Sequence, residues 1–142
     1  MIDEDKNTIP IVLHEVANRL RVRIDAKVQP YNLTRMKWLT LAILERDNGM
    51  SQSELAAKLD VDNSSIARLM TRMEQRDLIH RVCDENDRRV LRVFIKEEAR
   101  PLLQELKKVS DEIRNQALTG LSVKEQDDLL NLLLVVKNNL DK

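Results

Sequence analysis

The sequence is poor in the residues from which most dedicated chemistry is built. One cysteine, Cys83, among 142 residues excludes an intramolecular disulfide and a multi-cysteine zinc cage. Two glycines leave no Gly-rich phosphate loop. Tyr31, Trp38 and Phe94 are the only aromatics, too few for the stacking platforms of single-strand binders. Charge of one sign is missing too: 24 Lys and Arg balance 24 Asp and Glu. Binding to nucleic acid by bulk charge is therefore excluded, and any such binding must come from a local patch. His14 and Glu15 begin a zinc-protease motif that no second histidine completes, and His80 is the only other histidine. No nucleophile elbow is present. The chain reads as a non-enzyme with no metal and no cofactor. Its longest apolar run, residues 132–136, is far short of the ~20 residues that span a bilayer. The acidic start MIDEDKN lacks the basic region of a signal peptide, so a cytoplasmic protein with no membrane partner is expected.

What the chain has is helical periodicity. Ile9, Leu13, Val16, Leu20, Ile24 and Val28 step by three or four, predicting a helix over about 10–28, with Ile9 just outside it and Pro30 ending it. Thr34 is a good N-cap for a second helix, whose buried stripe reads as Met36, Leu39, Ile43 and Leu44, with Gly49 as left-handed C-cap. Ser51 and Glu54 form an S-x-x-E capping box for a two-turn helix to Leu59. Asp62 or Asn63 caps a fourth helix. Ile66, Leu69, Met70 and Met73 fall on one of its faces, and Ser64, Ser65, Arg68, Thr71, Arg72 and Gln75 on the other.

Two β-like runs follow at 79–84 and 90–95, joined by the charged tip Glu85, Asn86, Asp87, Arg88 and Arg89. Leu102, Leu106, Val109, Ile113 and Ala117 predict a fifth helix, broken by Gly120. A Ser122–Glu125 capping box opens a sixth. Leu129, Leu130, Leu132 to Val136 and Leu140 make that helix apolar around most of its circumference, which points to burial by a partner chain.

The fold class is mostly α with a small β-hairpin wing. Helix, short helix, turn, helix and charged hairpin make a winged helix-turn-helix, flanked by one helix before it and two after it. The fourth helix has a polar, basic face that fits a major groove about 12 Å wide. Residues 62–92 hold seven arginines against six carboxylates, so the argument rests on where the arginines point and not on their surplus.

Residues 33–95 resemble the MarR family of transcriptional regulators. The matching pieces are Leu33, Thr34 and Trp38, then SELAAKL at 53–59, SIARLMTRMEQRDLI at 65–79, and Asp87-Arg88-Arg89. Arg21, Asp25, Pro30, Ser65 and Arg68 look most like the SlyA branch. The resemblance implies one MarR-type domain overall. In it, residues 1–32 form a dimerisation helix, 33–96 the DNA-binding lobe and 97–142 the C-terminal dimerisation helices. It further implies a homodimer on a pseudo-palindrome of double-stranded DNA. Ser64, Ser65, Arg68, Thr71 and Arg72 would face the major groove. Arg88 would enter the minor groove, Arg89 would sit on phosphate, and Asp87 would orient an arginine. Leu13, Leu129, Leu133, Val136 and Leu140 would serve the dimer. Arg21 and Trp38 would meet a small aromatic carboxylate. Three residues depart from the family pattern: Asp77 replaces a glycine, Lys96 a capping threonine, and Lys37 a neutral polar residue or histidine. None is expected to touch the DNA-reading positions.

Each of these readings has a plainer counterpart. Taken alone, Arg68 and Arg72 read as a solvated helix face, which the helix-turn-helix and wing around them reverse; the plainer counterpart of Arg88 and Arg89 is edge protection, and that of Trp38 simple core. Cys83 reads as a small buried hydrophobe, with a thiol redox switch as its alternative. A winged-helix adaptor that binds an acidic protein partner is the other functional class.

Overall fold

The structure is a computed structural model that describes residues 5–141. Residues 1–4, which carry most of the acidic start, and Lys142 lie outside the described residues. The chain divides into two compact units, Met1–Val109 and Ser110–Lys142.

Helix α1 runs over Thr8–Val28 and starts two residues earlier than the periodicity suggests. Ile9 therefore lies inside the helix. Pro10 still falls in the first turn, where its missing N–H costs no hydrogen bond. Val28 is buried and Leu13, Leu20 and Ile24 are half-buried, whereas Ile9 and Val16 are exposed. A 3-10 turn at Gln29–Tyr31 holds Pro30, and Asn32 takes the left-handed conformation that follows it.

Helix α2 spans Arg35–Arg46 with Thr34 as N-cap, its hydroxyl accepting from the Lys37 amide. Its core face is Thr40, Leu41 and Leu44, one position round from the expected stripe; Met36, Leu39 and Ile43 are only half-buried. Thr40 is tolerated there because its hydroxyl donates to the Met36 carbonyl at 2.7 Å. Asp47, not Gly49, closes the helix. Gly49, at φ +92°, does something else. Its N–H donates to the Val93 carbonyl, and a Cβ there would come within 2.8 Å of the Phe94 ring.

Helix α3 covers Gln52–Leu59. The Ser51 hydroxyl caps the Glu54 amide and donates to the Glu54 carboxylate, so only one limb of the expected box forms. The Ser51 backbone is taken up in a β-bridge to Arg92. Helix α4 covers Asn63–Gln75, with Asp62 as its cap. Strands β1 (Ile79–Cys83) and β2 (Leu91–Ile95) pair antiparallel, Ile79 opposite Ile95 and Cys83 opposite Leu91. Within the first unit α2 packs on α1, α3 and β2, α3 on α4 and β2, and α4 on β1. Leu41, Leu44, Leu55, Ile66, Met70 and Met73 fill that core.

Cys83 is exposed, which corrects the buried reading. The hairpin projects beyond the core, and Val82 beside it is uncovered as well. A 3-10 turn at Glu97–Ala99 leads into α5, Arg100–Ala117. Lys96 makes no side-chain cap there, as its replacement of threonine suggests. Leu103 is buried where Leu102 was expected, together with Leu106, Val109 and Ile113; Ala117 is exposed.

The second unit holds the end of α5 and α6, Val123–Leu140. Here both limbs of the Ser122–Glu125 capping box form. Leu129, Leu133, Val136 and Leu140 are all exposed in the single chain, as are their apolar neighbours. Among the described residues no helix is long and apolar enough to cross a membrane, and no His, Cys, Asp and Glu cluster could hold a metal ion.

Candidate nucleic-acid interface

The turn between α3 and α4 is built from local chemistry. Asp60 adopts φ +56°, a value that aspartate tolerates better than most residues. Val61 N–H donates to the Ala56 carbonyl, closing α3. The Asp62 carboxylate accepts from the Ser65 amide at 2.7 Å and starts α4. That bond, followed by the Ser65 side chain, holds the Asp62 carboxyl below the usual carboxylate range.

Helix α4 then sorts its side chains by face, although Leu69, expected on the buried side, is only half-buried. Ile66, Met70 and Met73 go inward, while Ser64, Arg68, Thr71, Arg72 and Gln75 are exposed and Ser65 is half-buried. Ala67, Arg68, Thr71, Arg72 and Gln75 line an open, shallow depression along the outer face. Arg68 reaches the Ser65 hydroxyl only at 3.4 Å. Arg72 has no hydrogen-bond or ion-pair partner among the described residues. At the far end Asp77 takes φ +56° in place of glycine, and Leu78 N–H donates back to Met73. Lys96 binds the Asp77 carboxylate at 2.9 Å, so two of the three departures from the family pattern answer each other. Asp77 first and Glu98 second raise the Lys96 ammonium above its ordinary value.

The wing tip is wired through Asp84. One carboxylate oxygen accepts from Arg92 Nε at 2.7 Å, and the other accepts from the Asn86 and Asp87 amides. Arg92 also donates to the Gly49 carbonyl, anchoring the hairpin base to the loop before α3. The Asp87 carboxylate holds Arg89, through its amide and guanidinium, at 3.1–3.4 Å. Arg88 beside it is exposed and has no partner among the described residues. So the arginine that Asp87 orients is Arg89.

Arg81 is a residue the sequence reading did not single out. From β1 its guanidinium reaches Glu74 and Thr71 on α4 and Gln52 on α3. It fixes wing to helix. No local spacing rule joins it to Glu74 across a turn, so only the packed structure reveals the pair. Arg21 and Trp38 are not brought together by any hydrogen bond. Arg21 is exposed with its guanidinium on Asn18 at 2.6 Å, and Trp38 is half-buried. The depression on α1 is lined by Glu15, Asn18, Arg19, Val22 and Arg23 and takes in neither.

The carboxyls of Asp62, Asp84, Asp87 and Glu125 all lie below their ordinary values, held mainly by the Ser65 amide, Arg92, Arg89 and the Ser122 amide respectively. Their stabilisation is complete above the unfolded values of about 4 and is lost as pH falls toward the lower folded values. The urea midpoint should thus hold steady down to about pH 5 and drop below about pH 4. Asp84→Asn should flatten part of that drop; an identical pH profile would deny Asp84 its place in the wing.

A sequence model described as the MarR family matches residues 33–91. Solved structures share the fold across nearly the whole chain. A MarR transcriptional regulator from Methanosarcina mazei Go1 is 24% identical, with TM-score 0.82, over 96% of this chain and 99% of that one. The transcriptional regulator SlyA is 23% identical, with TM-score 0.80, over 93% of each. S. aureus MepR in its DNA-binding conformation is 20% identical, with TM-score 0.85, over 94% and 98%. At these identities the likeness is one of fold, and it sets SlyA no nearer than the others. The Methanosarcina mazei protein and SlyA are described as transcriptional regulators.

Proposed function

We propose that this chain, which carries the MarR winged-helix fold and matches that family over residues 33–91, is a homodimeric, sequence-specific regulator of transcription in the cytoplasm. Residues 33–96 are the DNA-binding lobe; 1–32 and 97–142 serve the dimer. The observation that carries this reading is the outer face of α4. Its polar and basic side chains stand open, while the inner face is fully packed. Ser64, Ser65, Arg68, Thr71 and Arg72 read the major groove. Arg88, left without an internal partner, enters the minor groove, and Arg89, held by Asp87, meets phosphate. Two such lobes must stand ~34–36 Å apart to enter successive major grooves. A small aromatic carboxylate bound near Arg21 and Trp38 would favour a misaligned spacing, a coupling of typically 1–3 kcal/mol.

Gel-shift titrations against duplexes from the protein's own upstream region test the reading. Arg68→Ala should cost about 1–3 kcal/mol of discrimination if Arg68 pairs with guanine. Arg88→Ala should weaken all sequences alike and lower the salt slope. Salicylate added to the wild-type complex should release DNA. Wild-type protein that retards no duplex even at low salt would overturn the reading in favour of an adaptor for an acidic protein.

A further inference from the structure

The side chain of one departure from the family pattern, Lys37, has no hydrogen-bond or ion-pair partner among the described residues. Lys37 stands in the first turn of α2, where its amide is capped by Thr34. A cation in a first turn is already disfavoured by the helix dipole. Two more cations stand close by. Arg76, at the end of α4, donates to the carbonyls of Tyr31 and Asn32, which draws that end of α4 against the segment leading into α2. Arg72 lies four residues earlier on the same side of α4. Burial first, then Arg76 and Arg72, lower the Lys37 ammonium below its ordinary value; no carboxylate acts to raise it.

Neither the Lys37 ammonium nor the Arg72 guanidinium has a hydrogen-bond or ion-pair partner among the described residues. Arg76 spends its guanidinium on backbone carbonyls and meets no carboxylate. Elsewhere in the lobe the pattern is the opposite. Arg81 faces Glu74, Arg89 faces Asp87, Arg92 faces Asp84 and Lys96 faces Asp77. A cluster of three cations with no carboxylate partner among the described residues can hold an external anion. Its position selects which one, because Arg68, Arg72 and Arg76 form one row along α4 and the row ends at the Tyr31–Asn32 segment that leads into α2.

We infer that Lys37 and Arg76, beside the groove-facing Arg72, form a binding site for a phosphate of the duplex backbone, flanking the groove that α4 reads. This rests on the DNA-binding reading above and adds to it a contact from α2. The site carries no sequence information; it fixes the register of α4 on the duplex. It also makes a second demand. The cluster is repulsive in the free protein, so removing Lys37 should relieve the fold while it weakens the complex.

The test is the salt dependence of binding for wild type, Lys37→Met and Lys37→Arg. Losing one phosphate contact per protomer should reduce the slope of log K against log salt by about 0.9 for each protomer bound. Lys37→Met should show that loss equally on specific and unrelated duplexes, with an unchanged or raised melting temperature. Lys37→Arg should restore the slope. An unchanged slope in Lys37→Met, while wild type binds normally, overturns the inference and leaves the function standing. Wild type that binds no duplex overturns both. A third arm uses inorganic phosphate alone at fixed ionic strength. If it raises the melting temperature of wild type and not of Lys37→Met, the site serves a free anion, and the backbone assignment fails.

Discussion

Aspartate at both Leu133 and Val136 should turn the protein into a monomer and lower its affinity for a two-site duplex by about two to four orders of magnitude. The premise is the exposure of α6. Leu129, Leu130 and Leu132 to Val136 are all uncovered in the single chain, as are Ile9, Ile11, Val12 and Val16 on α1. Monomeric proteins rarely leave apolar surface of that extent open to water. Each such leucine or valine gains about 1.5–3 kcal/mol on burial, so a partner that covers several of them recovers a large free energy. Two carboxylates set into that surface would have to be desolvated or left out, and the interface would open.

The loss of DNA affinity follows from linkage. One lobe on one half-site is a weak binder; two held together convert the second contact into an intramolecular event. The helices themselves should survive, because both substituted side chains are already exposed and α6 keeps its complete capping box. Gel filtration with light scattering reads the mass, circular dichroism the helix content, and gel shifts the affinity. A variant that stays dimeric would take α6 out of the interface. A monomer that keeps full affinity would mean that pairing of the lobes contributes nothing to binding.

Much of this architecture is legible in the sequence because it is local. Thr34, Ser51 and Ser122 cap helices as expected, and of Asp62 and Asn63 it is Asp62 that caps α4, since a cap involves residues three apart. The tolerance of Asp77 for a left-handed turn is likewise a property of the residue. The strands came within one residue of their expected ends. The sorting of α4 into packed and open faces was also readable, because Arg68, Thr71 and Arg72 recur at helical spacing.

Long-range pairings were not legible. Periodicity gives a helix a buried side but not which of two neighbouring ridges is deepest, so Thr40 and Leu41 displaced Leu39 and Ile43, and Leu103 displaced Leu102. Gly49 was legible as a left-handed residue. Its use against β2 and Phe94 depends on a strand more than forty residues away. The burial of Cys83 was misjudged because alternation along a strand implies an inner face only where another layer covers it. Arg76 on the Asn32 carbonyl and Arg92 on the Gly49 carbonyl are invisible for the same reason, being separated by 44 and 43 positions. Lys37 is visible as a departure, but its neighbours on α4 are brought to it only by the fold.

Met70→Ala should separate the inner face of α4 from the outer one. Met70 is fully buried on the inner side, between the core partners Ile66 and Met73. Truncating a buried methionine to alanine costs about 2–5 kcal/mol, from lost transfer energy and the cavity left behind. Against a typical total of about 5–15 kcal/mol, that is a large fraction of the fold's stability. For a domain of this size it corresponds to a fall in melting temperature of the order of 10 °C. Arg68, two residues earlier and so more than half a turn round the same helix, hydrogen-bonds only to Ser65 among the described residues. Arg68→Ala should leave the urea midpoint within about 0.5 kcal/mol of wild type while discrimination between duplexes collapses. Met70→Ala, assayed where it remains folded, should keep the wild-type ranking of duplexes. Urea unfolding and gel shifts on the two variants make the comparison. An outer face serving only as solvated surface would give Arg68→Ala no binding phenotype. A loosely packed inner face would give Met70→Ala no shift in midpoint. The assignment of α4 as a reading element carried on a rigid core requires both effects, each confined to its own side of the helix.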